Sequence, residues 1–211
     1  MLAVAGGKGG CGKTTTALGV GRALDGESVV VDTDRDMPNL HAMAGVDREP
    51  MAGDDAAPQR VADGLSVLPA PSPTGSDATV TTILDRVANR TDARVVVDCP
   101  GGAGPDAAAP LAAATTVVLV STACAPALRD ATKTAAMARA LGCRVAGVVL
   151  TRTRVAPPGV ERLFDGPVLG TVPNATGSPL ADERVRAAYA AVAAALSAPD
   201  RPTDGTATSG L

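Results

Sequence analysis

Aromatic side chains are nearly missing from this sequence. Among 211 residues the only phenyl or phenol rings are Phe164 and Tyr189, and there is no tryptophan. Any core must therefore be packed from Val, Leu and Ala. The scarcity also argues against binding of single-stranded nucleic acid, which uses aromatic faces as stacking platforms. There is one histidine, His41, and the four cysteines (Cys11, Cys99, Cys124 and Cys143) lie far apart with no Cys-x-x-Cys pair. That spacing does not suit a zinc ribbon or an iron–sulfur cluster held by one chain. A net charge of −3 supplies no overall field toward nucleic acid or anionic lipid. No apolar run approaches the ~20 residues that span a bilayer. The sequence opens directly on a strand pattern with no room for a leader, so the chain is expected to be soluble and cytoplasmic.

What is present is a regular alternation. Short apolar, β-branched runs occur at 2–5, 28–32, 65–68, 94–98, 116–121, 144–150 and 167–172. Helical spacing fills 14–24, 77–90, 105–113, 126–141 and 179–196. Continuous apolar strands alternating with helices predict an α/β fold, a doubly wound and mostly parallel sheet with helices on both faces in three layers. In such a sheet, ligands bind beyond the carboxyl ends of the strands. With 45% hydrophobic residues the chain can bury the core of one domain, expected over 1–196. Segment 49–64 reads as a short helix or a loop, and 152–166 as a loop with a short helix near Val160–Phe164. Residues 197–211, rich in Pro, Asp, Thr, Gly and Ser, read as a disordered tail.

The first strand runs into Gly7-Lys8-Gly9-Gly10-Cys11-Gly12-Lys13-Thr14-Thr15 and then into helical spacing. Gly7, Gly12, Lys13 and Thr14 satisfy the phosphate-loop pattern in the strand–loop–helix context it requires. Glycines allow positive φ and let backbone N–H groups converge on a polyanion, and the helix N-terminus adds partial positive charge there. Lys13 would reach the β- and γ-phosphates, and the Thr14 hydroxyl would ligate Mg²⁺. Of 19 lysines and arginines only three are lysine (Lys8, Lys13 and Lys133), and two of these stand in this loop. A compact ammonium has been kept where phosphate oxygens are expected. Cys11 sits beside the helix start, where thiol pKa values fall; a redox handle and a plain small side chain both fit.

Two further strands end in aspartate. Val29-Val30-Val31-Asp32-Thr33-Asp34-Arg35-Asp36 places Asp32 and Asp34 on one face of an extended chain. Asp34 is the candidate to position an attacking water. Asp32 would either hold metal-bound water or orient the loop, and Asp36 reads as a solvated turn residue. Val95-Val96-Val97-Asp98-Cys99-Pro100-Gly101-Gly102 ends in Asp98, which suits the carboxylate that holds Mg²⁺ in a phosphate-loop protein.

With Lys8 through Thr15, Asp32-x-Asp34 and Asp98-x-Pro100-Gly101-Gly102 in order, the chain resembles the ParA/MinD family of deviant Walker A ATPases over residues 1 to about 196. The resemblance implies ATP and Mg²⁺ as cofactors, slow hydrolysis, and a homodimer that encloses two ATP molecules. It implies that Lys8 crosses to the partner's phosphates, that Asp34 is the switch I aspartate, and that Asp98 with the Pro-Gly-Gly turn forms the Walker B end and switch II. It places Thr151, where the family usually has an Asn facing adenine, together with Arg152 and Pro173 near the base. Asp34 to Leu40, with its Asn39-Leu40 pair, resembles the MinD-like branch. The membrane-binding amphipathic helix of that branch has no counterpart in 197–211, which lacks an apolar face.

The function implied is a nucleotide-switched positioning ATPase with a protein partner that activates hydrolysis or receives cargo. The alternative on the same scaffold is a metabolic ATP-dependent ligase of the dethiobiotin synthetase kind, which should not need Lys8. An electron-transfer ATPase would need paired cysteines at a dimer axis, and Cys99 and Cys124 do not match that spacing. Arg129 with Lys133, and Arg152 with Arg154 and Arg162, form two basic groups. A solvated face and a salt-sensitive, nonspecific DNA contact are both open for them.

Overall fold

The computed structural model describes residues 1–7, 9–54, 57–71 and 78–198. Lys8 lies outside the described residues, as does the expected tail from 199 onward.

Among the described residues eight strands form one sheet: β1 (Leu2–Gly6), β2 (Ser28–Asp32), β3 (Gln59–Ala62), β4 (Leu65–Leu68), β5 (Arg94–Gly101), β6 (Thr116–Thr122), β7 (Arg144–Thr151) and β8 (Val168–Val172). Their order is β3-β4-β2-β5-β1-β6-β7-β8, and only β3 is antiparallel to its neighbour. The helices are α1 (Lys13–Ala23), α2 (Leu40–Ala44), α3 (Val80–Asn89), α4 (Pro105–Ala113), α5 (Ala125–Ala140), α6 (Val160–Phe164) and α7 (Glu183–Ser197).

The strands read as unbroken apolar runs because both faces are covered. Alternate residues such as Ala3, Val29, Val97, Leu119 and Leu150 pack toward α3, α4, α5 and α6. Their neighbours Val4, Val30, Val96 and Val120 pack toward α1 and α2. Val118, Val149 and Val172 pack with α7. This is the three-layer, mostly parallel architecture expected from the sequence.

The seven expected strands are all present. β3 and α2 were not expected. Each has only four or five residues, too few to establish a period of 2.0 or 3.6. The last helical segment is also interrupted. Pro179–Ala181 makes a short 3-10 turn, Asp182 is extended (φ −75°, ψ 123°), and its side chain accepts the Arg184 N–H to start α7 afresh. A capping carboxylate satisfies an orphan N–H at a helix start, which favours the break there.

With so few rings, each one has a specific place. Phe164 and Tyr189 are the two largest fully buried side chains. Tyr189 of α7 lies on Gly19 of α1, where an added Cβ would come within 2.1 Å of the ring. Its hydroxyl shares a hydrogen bond of 3.2 Å with the Thr16 hydroxyl. Glycine in mid-helix costs roughly 1 kcal/mol relative to alanine. Here it allows α7 to press against the helix that leaves the phosphate loop. Gly19→Ala is expected to lower stability by about 1–3 kcal/mol in urea titration despite its better helix propensity, because the ring has no space to retreat. A gain in stability would show that the two helices are not in tight contact.

Candidate functional site

The chain leaves β1 at Gly6 and enters α1 at Lys13 through a loop shaped by glycine. Gly10 and Gly12 take φ of 74° and 96°, the left-handed region that other residues adopt at a cost. The Gly12 carbonyl then accepts the Thr16 N–H at 2.9 Å, the first turn of α1. The loop is braced from behind. The Thr151 hydroxyl at the end of β7 donates to the Cys11 carbonyl at 2.7 Å, and the Arg152 guanidinium donates to the Gly10 carbonyl at 2.7 Å. Gly7 passes so close to α5 that an added Cβ would stand 2.2 Å from the Asp130 carbonyl carbon. Arg152 is itself left-handed, with φ 56°. These contacts occupy the Gly10 and Cys11 carbonyls, while the start of α1 lines the loop's concave side.

That concave side opens into a cleft of about 860 Å³, within the range of roughly 300–1,000 Å³ typical of ligand pockets. Gly7, Gly9, Gly10, Gly12, Lys13, Thr14 and Thr15 form one wall. Asp34 to Met37 with Asn39 form a second, and Asp98 to Gly102 a third. Arg152 lies at its edge. Of the residues expected at the site, Cys11, Asp32, Thr151 and Pro173 do not line the cleft. Cys11 is buried among Val4, Leu18 and Val120, so it packs as a small apolar side chain. Thr151 is also buried, and its hydroxyl donates to the Cys11 carbonyl, with the Ser121 carbonyl at 3.4 Å as a second acceptor, so it braces the loop.

Sheet register brings the acidic residues together. Asp32 and Asp98 are direct cross-strand partners on β2 and β5, and Val4 of β1 pairs with Asp98 from the other side. Thr33 locks the two strand tips, its N–H and its hydroxyl both donating to the Asp98 carbonyl at 3.0 and 2.8 Å. The Asp32 carboxylate accepts the Asp34 N–H at 2.9 Å on one oxygen and the Leu40 N–H at 3.2 Å on the other. Of its two expected roles, orienting the loop is the one these contacts support. One Asp34 oxygen accepts the Met37 N–H at 3.0 Å, which keeps the half-buried Asp34 at the cleft wall.

Asp98 is the anomalous group. It is 3% exposed, and among the described residues its Oδ1 has no hydrogen-bond partner. Burial raises its pKa from the ordinary 3.8 to about 7, with Asp32 pushing the same way and the Thr14 hydroxyl and Lys13 ammonium opposing. A buried carboxylate with an open oxygen next to a threonine hydroxyl is a hard-oxygen pair suited to Mg²⁺. Among the described residues no three His, Cys, Asp or Glu side chains converge on a metal. A cation here would complete its shell from phosphate and water, as Mg²⁺ commonly does. Burial also pushes the Cys99 thiol far up, with Asp98 adding to the effect, which disfavours its thiolate.

Sequence reasoning missed Asn39 as a site residue. The Thr14 hydroxyl donates to Asn39 Oδ1 at 2.9 Å, which joins the α1 start to the loop after β2. The sequence marked it only as part of the Asn39-Leu40 pair, which points to a family branch and not to a contact with Thr14. Of the basic groups, Lys133 pairs with Asp130 at 3.0 Å and Arg152 is engaged at the phosphate loop.

Comparison with known proteins agrees with this geometry. The sequence profile of the CbiA family, described as the CobQ/CobB/MinD/ParA nucleotide binding domain, matches residues 2–186. An uncharacterised ATP-binding protein of Methanocaldococcus jannaschii is 27% identical over 199 residues, covering 82% of this chain and 74% of that protein. The cell division ATPase MinD of Pyrococcus furiosus superposes with a TM-score of 0.80 at 23% identity, over 92% of this chain and 97% of that one. Cobyrinic acid a,c-diamide synthase of Mycobacterium smegmatis, solved with an ATP analogue and magnesium, superposes with a TM-score of 0.72 at 24% identity, over 92% and 93% of the two chains. With a glycine-shaped loop at the start of α1 and a buried strand-end carboxylate facing it, this chain belongs to the CobQ/CobB/MinD/ParA nucleotide-binding family.

Proposed function

We propose that the chain is an ATP- and Mg²⁺-dependent switch ATPase that dimerises on ATP and serves intracellular positioning. The observation that carries this reading is the convergence of Lys13, Thr14, Asp34 and Asp98 on one cleft at the carboxyl edge of the sheet. Loop amides and the Lys13 ammonium bind the β- and γ-phosphates, aided by the partial charge of the α1 N-terminus. Bound Mg²⁺ would neutralise developing phosphate charge, with Thr14 and Asp98 holding it. Asp34, fixed through Asp32 and Met37, is placed to orient water toward the phosphates. Lys8 serves the partner copy. Its ammonium is the feature that separates a two-subunit switch from a single-subunit ligase.

The ligase reading retains one support, the likeness to cobyrinic acid a,c-diamide synthase. The two readings part at Lys8. Lys8→Ala is expected to keep most nucleotide affinity while losing ATP-dependent dimerisation in sedimentation and at least tenfold in turnover, whereas Lys13→Ala loses binding itself. Wild-type turnover in Lys8→Ala, with a monomer throughout, would favour the ligase. For Asp34→Ala we expect an ATP-bound dimer that persists because phosphate release slows by about 10²–10⁴, the usual contribution of a positioned acid–base group. Ordinary phosphate release from that variant would move the water-positioning role elsewhere.

Asp98 makes the site pH-dependent in two opposite ways. Its folded pKa of about 7 lies above the ordinary 3.8, so between these values the folded chain holds a proton that the unfolded chain does not. Stability in chelator therefore falls as pH rises through that window and is lowest above it. Asp98→Asn should melt higher than wild type at pH 8, with the gap narrowing toward pH 5. Mg²⁺ requires the ionised form, so its affinity should rise from pH 6 to pH 8 in wild type and stay weak and flat in Asp98→Asn. An Asn variant that binds Mg²⁺ as tightly as wild type would exclude Asp98 from the metal site.

A further inference from the structure

Asn39 stands at the N-cap of α2, yet its side chain makes no cap hydrogen bond. The α2 start is capped instead from β2, by the Asp32 oxygen that accepts the Leu40 N–H at 3.2 Å. This substitution of one cap for another releases the Asn39 amide, and its Oδ1 turns to the Thr14 hydroxyl at 2.9 Å. Thr14 directly follows Lys13, and its hydroxyl also sits beside the orphaned carboxylate of Asp98. Asn39 lies five residues beyond Asp34, at the far end of the loop whose near end is held by Asp32. The loop is thus fixed to the sheet through one carboxylate and to the phosphate-binding helix through one hydroxyl proton.

We propose that Asn39 is a positioning residue that transmits occupation of the Thr14 hydroxyl to the Asp34 loop. A threonine hydroxyl has one proton and two lone pairs. A cation on the oxygen leaves the proton on Asn39 and strengthens that bond by polarising the O–H, since charge-assisted hydrogen bonds are about twice as strong as neutral ones. Without the cation, Asp98 competes for the same proton and the link to the loop is weaker. Cation arrival at α1 thereby tightens the loop that carries Asp34.

This inference rests on the proposed nucleotide–Mg²⁺ site. Its test is the gain in ADP affinity on adding Mg²⁺, taken as a ratio within each protein by titration calorimetry. Hydrogen exchange of the 33–44 backbone, with and without Mg²⁺–ADP, gives a second readout independent of turnover. Asn39→Ala should reduce the Mg²⁺ gain by about three- to tenfold, the effect of one hydrogen bond, and abolish the added protection of 33–44. Asn39→Ser keeps a good N-cap residue but cannot reach Thr14, so it should behave like Asn39→Ala and exclude a simple loss of α2. Asn39→Asp retains an acceptor in place and should restore both signals. A wild-type Mg²⁺ gain together with wild-type protection in Asn39→Ala and Asn39→Ser would overturn the inference alone. A wild-type protein with no Mg²⁺ gain would remove the nucleotide-switch reading and this inference with it.

Discussion

A buried carboxylate with one unsatisfied oxygen governs the carboxyl edge of this sheet. Asp98 is taken out of water at the tip of β5 with one oxygen unsatisfied, a condition that costs folding free energy at neutral pH. Its backbone is held there by hydrogen bonds that have nothing to do with the charge. Thr33 donates twice to its carbonyl, and β1 and β2 flank it in register. The ladder keeps the charge where solvent would otherwise reclaim it. Such a group is relieved by a cation, and the neighbouring elements present what a cation would need next, the Thr14 hydroxyl and the anion-binding loop. Stability has been given up at one position so that a ligand can restore it.

The fold was legible because the strands are long enough and apolar enough to declare both faces covered. Runs such as Val29-Val30-Val31 and Val95-Val96-Val97 admit no other placement in a chain with so little aromatic bulk. What escaped was short or capped from a distance. β3 is a four-residue edge strand with only one neighbour, so its pattern carries half the constraint of an inner strand. α2 is one turn and a half, and the carboxylate that caps it comes from β2. No local signal could have shown that.

The site was legible in its glycines, Lys13, Thr14, Asp34 and Asp98, because each sits where an element ends and a loop must begin. It was less legible where one residue's role depends on another's hydrogen bond. Thr151 stands at a strand end near the cleft, but its hydroxyl serves the Cys11 carbonyl. Asp32 is open between metal-bound water and loop orientation until both its oxygens are found on loop N–H groups. Asn39 stands in the sequence only as half of the Asn39-Leu40 pair, and its place at the site rests on the hydrogen bond from Thr14. These are allocations of single protons among several acceptors, and a sequence does not record allocations.

The contact between Tyr189 and Gly19 gives the molecule a built-in optical reporter. There is no tryptophan to mask it, and no second tyrosine. The ring is buried against α1 and joined through its hydroxyl to Thr16, two residues beyond the threonine that faces Asp98. Ultraviolet emission from the unlabelled chain therefore comes from one phenol, situated on the helix that begins at the phosphate loop. Any tilt of α1 against α7 changes that phenol's surroundings, so the resting protein carries its own gauge of the element on which the cleft is built.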